Sequence, residues 1–91
     1  MIKDFKCRKT ERLFKGEHIA AFSGFNRQAE KRLRILDAAD TLEALAALPS
    51  NRFERLLGDR TGQYSIRVNQ QWRLCFTWDE GANDVEIVDY H

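Results

Sequence analysis

The chain has 91 residues, 43% hydrophobic and 32% charged, with a formal net charge of +1. That length gives one domain over residues 1–91 and a single core, burying roughly 60–70% of the unfolded surface. No apolar run approaches the roughly 20 residues of a membrane span. The charged start, Met1-Ile2-Lys3-Asp4-Phe5-Lys6, lacks the apolar stretch of a secretory signal, so a cytoplasmic protein with no membrane partner is expected.

The near-neutral total hides an asymmetry. Residues 1–34 hold ten Lys or Arg against four acids, whereas residues 35–91 hold five Arg against ten acids. A basic half suggests a polyanionic partner, although a solvated helix face explains the charge equally well.

In chain order, the weak alternation of Ile2 to Cys7 predicts a short strand, at the edge of a sheet or joining it. A helix follows from Lys9 or Thr10, with Thr10 as N-cap, Leu13 and Phe14 as apolar anchors and Gly16 as terminator. Residues 18–25, with Ser23-Gly24, read as loop. Asn26 is placed to cap a second helix, in which Ala29, Leu33, Leu36 and Ala39 recur at helical spacing. Arg27, Lys31 and Arg34 form a basic stripe on another face of it. Thr41 suits the N-cap of a short helix, Leu42 to Leu48, with Leu42, Leu45 and Leu48 inward and Pro49-Ser50-Asn51 ending it. The last two helices are expected to form a hairpin lying on a sheet. Arg52 to Gly62 is polar and irregular, with arginines at 52, 55 and 60.

Two alternating runs, Gln63 to Val68 and Gln71 to Trp78, predict a β-hairpin around Asn69-Gln70. Tyr64, Ile66 and Val68 share one face of the first strand, with Ser65 and Arg67 opposite them; Trp72, Leu74, Phe76 and Trp78 share one face of the second, with Arg73, Cys75 and Thr77 opposite. Each strand thus has an apolar side for a core and an arginine on the other. A third run, Val85 to Val88, follows a Gly-Ala-Asn-Asp turn and leads into Asp89-Tyr90-His91.

Several chemistries find no support. There is no Gly-rich phosphate loop, and Cys7 and Cys75 lack metal-ligand spacing, which predicts reduced strand thiols. The acids at 79, 80, 84, 86 and 89 lie in a turn or on alternating faces, so neither metal nor cofactor is expected. What remains suits RNA. A 2′-hydroxyl attacks the adjacent phosphate, a base takes its proton, an acid protonates the leaving oxygen, and cationic donors stabilise the phosphorane. Arginines supply a fixed donor fork. A histidine changes protonation near neutral pH, and a tyrosine can hydrogen-bond or stack on an unpaired base. Arg67, Arg73, Asp89, Tyr90 and His91 therefore suffice for the reaction. The plainer reading is a salt-bridged strand arginine and a frayed last residue.

The sequence resembles the HigB-type toxins of the RelE superfamily, the killer proteins of bacterial type II toxin–antitoxin systems. The resemblance spans nearly the whole chain. Its residues are Met1 to Phe5, Gly58-Asp59-Arg60, Gly62 to Asn69, Gln71-Trp72-Arg73-Leu74-Cys75-Phe76 and Val85 to His91. It implies an α+β fold with two N-terminal helices on a small, mainly antiparallel twisted sheet, the microbial-RNase-like arrangement. It implies metal-free, acid–base cleavage of mRNA in the ribosomal A site. It also implies a HigA-type helix-turn-helix antitoxin, through which the pair binds operator DNA.

Position by position, Asp89, Tyr90 and His91 match the catalytic triplet, Arg73 the phosphate-binding arginine, and Arg67 a supporting one. Some members carry a His and a Lys where this chain has Glu54 and Leu57. Glu54 is then a candidate base, and Arg52, Arg55 or Arg60 a candidate replacement cation. Arg27, Lys31 and Arg34 would face ribosomal RNA. The competing readings are a non-catalytic RNA- or ribosome-binding module and a toxin-derived co-repressor subunit.

Overall fold

The computed structural model describes residues 1–89 of the chain. Three α-helices, α1 (Arg8–Phe14), α2 (Asn26–Ala38) and α3 (Leu42–Ala47), precede four strands: β1 (Glu54–Arg55), β2 (Tyr64–Arg67), β3 (Trp72–Trp78) and β4 (Ala82–Asp89). The strands form one antiparallel sheet in the order β1-β2-β3-β4. The expected α+β architecture is present, and α1 and α2 pack against each other and against β4.

Alternation sorts the sheet as the hairpin pattern requires. Ile66, Leu74, Phe76, Val85 and Ile87 meet Leu13, Phe22, Ala29, Leu33, Leu36 and Leu45 in the main core. The three leucines Leu33, Leu36 and Leu74 are fully buried, each stabilising the fold by about 1.5–3 kcal/mol. Trp72 closes the open end of this core, its ring stacked on Phe25 and edge-on to Phe22. The hairpin turn is closed by Asn69, whose Oδ1 accepts from the N–H groups of Gln71 and Trp72, both at 2.8 Å.

The start of the chain runs parallel to β4 through bridges at Ile2 to Ala82 and Phe5 to Val85, so the expected strand is reduced to two isolated contacts. Gly81 is required here: a Cβ would sit 2.7 Å from the Met1 carbonyl oxygen, and its φ is +148°. One extra residue bulges β4 between the pairs Thr77–Asn83 and Cys75–Glu86, with Asp84 at φ 52°. The Asp84 N–H donates to Asp4 Oδ1 at 2.6 Å. The expected turn at 81–84 is thus mostly strand, because the bulge absorbs its polar residues.

Other expectations are corrected. Thr10 lies inside α1, which begins after Cys7; its buried hydroxyl accepts from the Ile87 N–H at 3.1 Å. Asn26 does not cap α2 but ties down the preceding segment, accepting from Ile19 N–H and donating to the carbonyls of Ile19 and Phe22. That segment contains a 3-10 turn, Ala20–Phe22, which buries Phe22. Thr41 caps α3 as expected, accepting from Ala44 N–H at 3.1 Å, but Leu48 is 40% exposed because α3 ends at Ala47. The closely packed helix pair is α1 with α2, not α2 with α3, since α1 carries Leu13 into the core. The polar connection before β2 contributes a strand, β1, whose backbone pairs with Ser65 and Tyr64.

Candidate functional site

The sheet face away from the main core carries the candidate site. Arg73 sits on β3, the central partner of both β2 and β4, and is only 9% exposed. A buried guanidinium without acceptors would be costly. Here Nε donates to Ser65 Oγ at 2.7 Å, and Nη2 donates to the carbonyls of Arg52 and Ser65. These acceptors are neutral, so the fork is fixed in position, and among the described residues no acid pairs with its positive charge.

Register places the neighbours. Arg67 is the direct cross-strand partner of Arg73, on the same face, with its Nε donating to the Asn69 carbonyl at 3.1 Å. Glu54 pairs with Ser65, and Ser65 with Cys75, so Glu54 is an exposed carboxylate on the Arg73 face. Arg52 adopts a left-handed backbone, φ 45° and ψ 51°, which costs a non-glycine residue about 1–2 kcal/mol. This turn aims its carbonyl at Arg73. Arg52 and Arg67 both line an open cleft of about 550 Å³.

The remaining predicted residues are dispersed. Asp89 pairs with Trp72, which sets it on the face opposite Arg73, and its Oδ2 accepts from Gln71 Nε2 at 2.9 Å. Tyr90 and His91 lie outside the described residues. Arg60 is engaged with Glu86 at 3.3 Å and with Gln63 at 3.0 Å. Arg55 lies over the Tyr64 ring on the opposite face. On α2, Arg34 pairs with Glu30 at 3.7 Å and sits over Phe14, while Arg27 and Lys31 are exposed. Leu57 is 81% exposed.

Cys75 is fully buried beside this face, and burial pushes its thiol above the ordinary value. Its burial marks it as a structural thiol rather than a candidate nucleophile. Sequence reasoning did not single out three residues that the structure places on this face or in the cleft: Ser65, Gln28 and Arg32. The last two are spaced i, i+4 on α2, and both line the cleft. That spacing was available in the sequence, but the more obvious stripe at 27, 31 and 34 drew the reading to another face.

The fold is that of known toxins. Over its full length the chain superposes on the toxin–antitoxin heterotetramer of YoeB and YefM from Staphylococcus aureus, with a TM-score of 0.58, 20% identity and 98% of the matched chain covered. A YoeB dimer from the same organism gives a TM-score of 0.52 at 22% identity, with 99% of this chain and 97% of that chain covered. Sequence narrows the class. The family described as "RelE-like toxin of type II toxin-antitoxin system HigB" matches residues 3–91. The chain is 37% identical to Toxin HigB-1 of Vibrio cholerae, covering all of this chain and 98% of that protein. It is 34% identical to Endoribonuclease HigB of Proteus vulgaris, with both chains fully covered. The chain belongs to the HigB family of RelE-like toxins.

Proposed function

We propose that the chain is an endoribonuclease that cuts mRNA in the ribosomal A site by acid–base chemistry and is neutralised by a HigA-type antitoxin. The observation that carries this reading is the Arg73 guanidinium, buried on the central strand and held by neutral acceptors beside a second arginine. Such preorganised cationic donors stabilise charge that develops only in the transition state. The Proteus vulgaris relative is named an endoribonuclease, which supports the same activity here.

In this mechanism Arg73 and Arg67 hold the scissile phosphate and the phosphorane. Glu54, on the same face, or His91 takes the 2′-hydroxyl proton, and the other donates to the leaving oxygen. Tyr90 stacks on or hydrogen-bonds the substrate. Asp89, across the sheet from the arginines, serves as a positioning residue for the two residues that follow it. The toxin acts in the cytoplasm, where translating ribosomes are. The YoeB structure solved with its antitoxin supports an antitoxin partner, through which operator DNA is reached.

Mapping mRNA 5′ ends after brief induction tests the reading. The wild type produces new ends within translated codons, and both Arg73→Ala and His91→Gln abolish them. Undiminished cutting by His91→Gln overturns the proposed chemistry, and an absence of new ends with wild type overturns the activity.

A further inference from the structure

We infer that the open cleft beside Arg73 is a second phosphate-binding subsite, which holds the mRNA backbone next to the scissile linkage through Arg32, Arg52 and Arg67. The proposal rests on the endoribonuclease reading above and assigns a role to Arg32, which lies outside the family triplet.

Three guanidinium-bearing residues line this cleft, each from a different element: Arg32 from α2, Arg52 from the turn before β1, and Arg67 from β2. None of them forms an ion pair among the described residues, where the paired cations are Lys6, Arg12, Lys15, Arg34 and Arg60. Among the described residues no acid lines the cleft, and its other polar contributors include Gln28, Ser50 and Asn69. Three adjacent cations repel one another, so such a grouping selects an anion. The volume of about 550 Å³ lies in the range of small-ligand sites, enough for a nucleotide-sized group.

Arg32 is built into the site. Its Nη1 donates to Asn51 Oδ1 at 2.8 Å and to Ser50 Oγ at 3.3 Å. Asn51 is fully buried and is itself anchored, its Nδ2 donating to the Leu45 carbonyl at 3.0 Å. One edge of the Arg32 fork is thus held by a neutral amide, and among the described residues no acid pairs with it, as with Arg73. Continuity with the candidate catalytic face comes twice. Arg67 is the cross-strand partner of Arg73, and Arg52 both lines the cleft and holds the Arg73 guanidinium through its carbonyl. A single-stranded backbone lying across Arg73 reaches the cleft at its neighbouring phosphate.

The test compares binding of the toxin to two ribosome complexes. One carries an mRNA made uncleavable by a 2′-deoxy substitution in the A-site codon; the other carries an mRNA truncated before the A site. Wild type prefers the first. Arg32→Gln is expected to cut that preference about 3–10-fold and to flatten its salt dependence by about 0.7 in slope, the share of one single-strand phosphate contact. Arg32→Lys restores most of it, and Arg12→Gln, at a cation already paired with Glu17, changes neither complex. Thermal melts of every variant separate loss of contact from loss of fold.

If Arg32→Gln keeps the wild-type preference, or weakens both complexes equally, the mRNA subsite is refuted, the second result marking a ribosomal-RNA contact instead. A loss that tracks a lowered melting temperature and is not restored by Arg32→Lys also refutes it. If wild type itself does not distinguish the complexes, the A-site reading fails and takes the subsite with it.

Discussion

Arg67 and Arg73 face each other directly across β2 and β3, two cations in one register position, each hydrogen-bonded to neutral oxygens. Like charges placed opposite one another in an antiparallel pair are destabilising by roughly 0.2–1 kcal/mol. A sheet selected for stability alone would place an acid at one of these positions. Retaining both arginines is understandable if a polyphosphate fills the space between them. Arg67→Gln should therefore leave the melting temperature unchanged or raise it, while slowing mRNA cleavage by about 10-fold or more. A fall in both, measured by thermal melts and single-turnover cleavage, would assign Arg67 to the fold.

Ser65 is the hinge of the Arg73 arrangement. Its fully buried hydroxyl accepts from Nε at 2.7 Å, the only side-chain acceptor recorded for that guanidinium among the described residues. Removing it with Ser65→Ala should cost about 1.5–3 kcal/mol of stability, the range for a hydrogen bond to a charged group. At a temperature where the variant is fully folded, kcat should fall with KM little changed, because the fork is misaimed rather than lost. Arg73→Lys abolishes the fork directly, so the double variant should be no worse than Arg73→Lys alone. Additive losses would show that Ser65 acts elsewhere.

The hairpin and the apolar face of each strand were legible in the sequence because a period of two leaves little freedom once one face is apolar. The pairing of Arg67 with Arg73 was not, since a two-residue link at Asn69-Gln70 would set Arg67 opposite Trp72, and the turn takes in Gln71 as well. Thr10 and Asn26 misled for a shared reason. A short polar side chain beside an apolar run satisfies the capping rule, but both found better partners far away, Ile87 for Thr10 and Ile19 and Phe22 for Asn26. Strand β1 was invisible because two residues cannot show a period, and its pairing is made by backbone groups. Val85, Ile87 and Asp89 alternate on one side, so the face of Asp89 needs only a period of two, and the register pairs it with Trp72; what no alternation pattern announces is the bulge at Asp84.

Thr10 gives a stability prediction free of catalysis. β4 has strand β3 on one side, and on its other side the Ile87 N–H finds the Thr10 hydroxyl. Thr10→Val keeps the shape and orphans a buried backbone donor. The expected cost is about 1–3 kcal/mol, which for a domain of this size lowers the melting temperature by roughly 4–8 °C per kcal/mol. Thr10→Ser should retain most of the stability. Equal melting of the valine variant and wild type would mean that water reaches the Ile87 N–H.

Leu57 stands 81% exposed, in the same connection as Glu54, at the position where the family resemblance implies a lysine in some members. A large apolar side chain in water contributes little to the fold, so Leu57→Lys should change stability by no more than about 0.5 kcal/mol. If a missing cation limits this toxin, the variant should cleave mRNA on translating ribosomes several-fold faster than wild type. An unchanged rate would mean that the arginines already present supply the charge the reaction needs.

Cys75 supplies the pH prediction. Burial raises its thiol above the ordinary value of 9.0, with Glu86 adding to the effect and Arg60, Arg73 and Lys6 opposing it. The folded state therefore holds the proton more tightly than the unfolded chain does. The stability this contributes is fully present below the unfolded thiol value and is lost as pH rises through the folded one. Wild type should lose melting temperature more steeply above about pH 9 than Cys75→Ala, since the lysine and tyrosine titrations common to both cancel in the comparison. The same burial makes Cys75 slow to alkylate in the native protein, with half-buried Cys7 reacting first. Parallel melting curves for the two proteins across pH 7 to about 10.5, where lysine also titrates, together with early labelling at Cys75, would show that water already reaches the thiol and that the Arg73 face is more open than the packing around Ser65 implies.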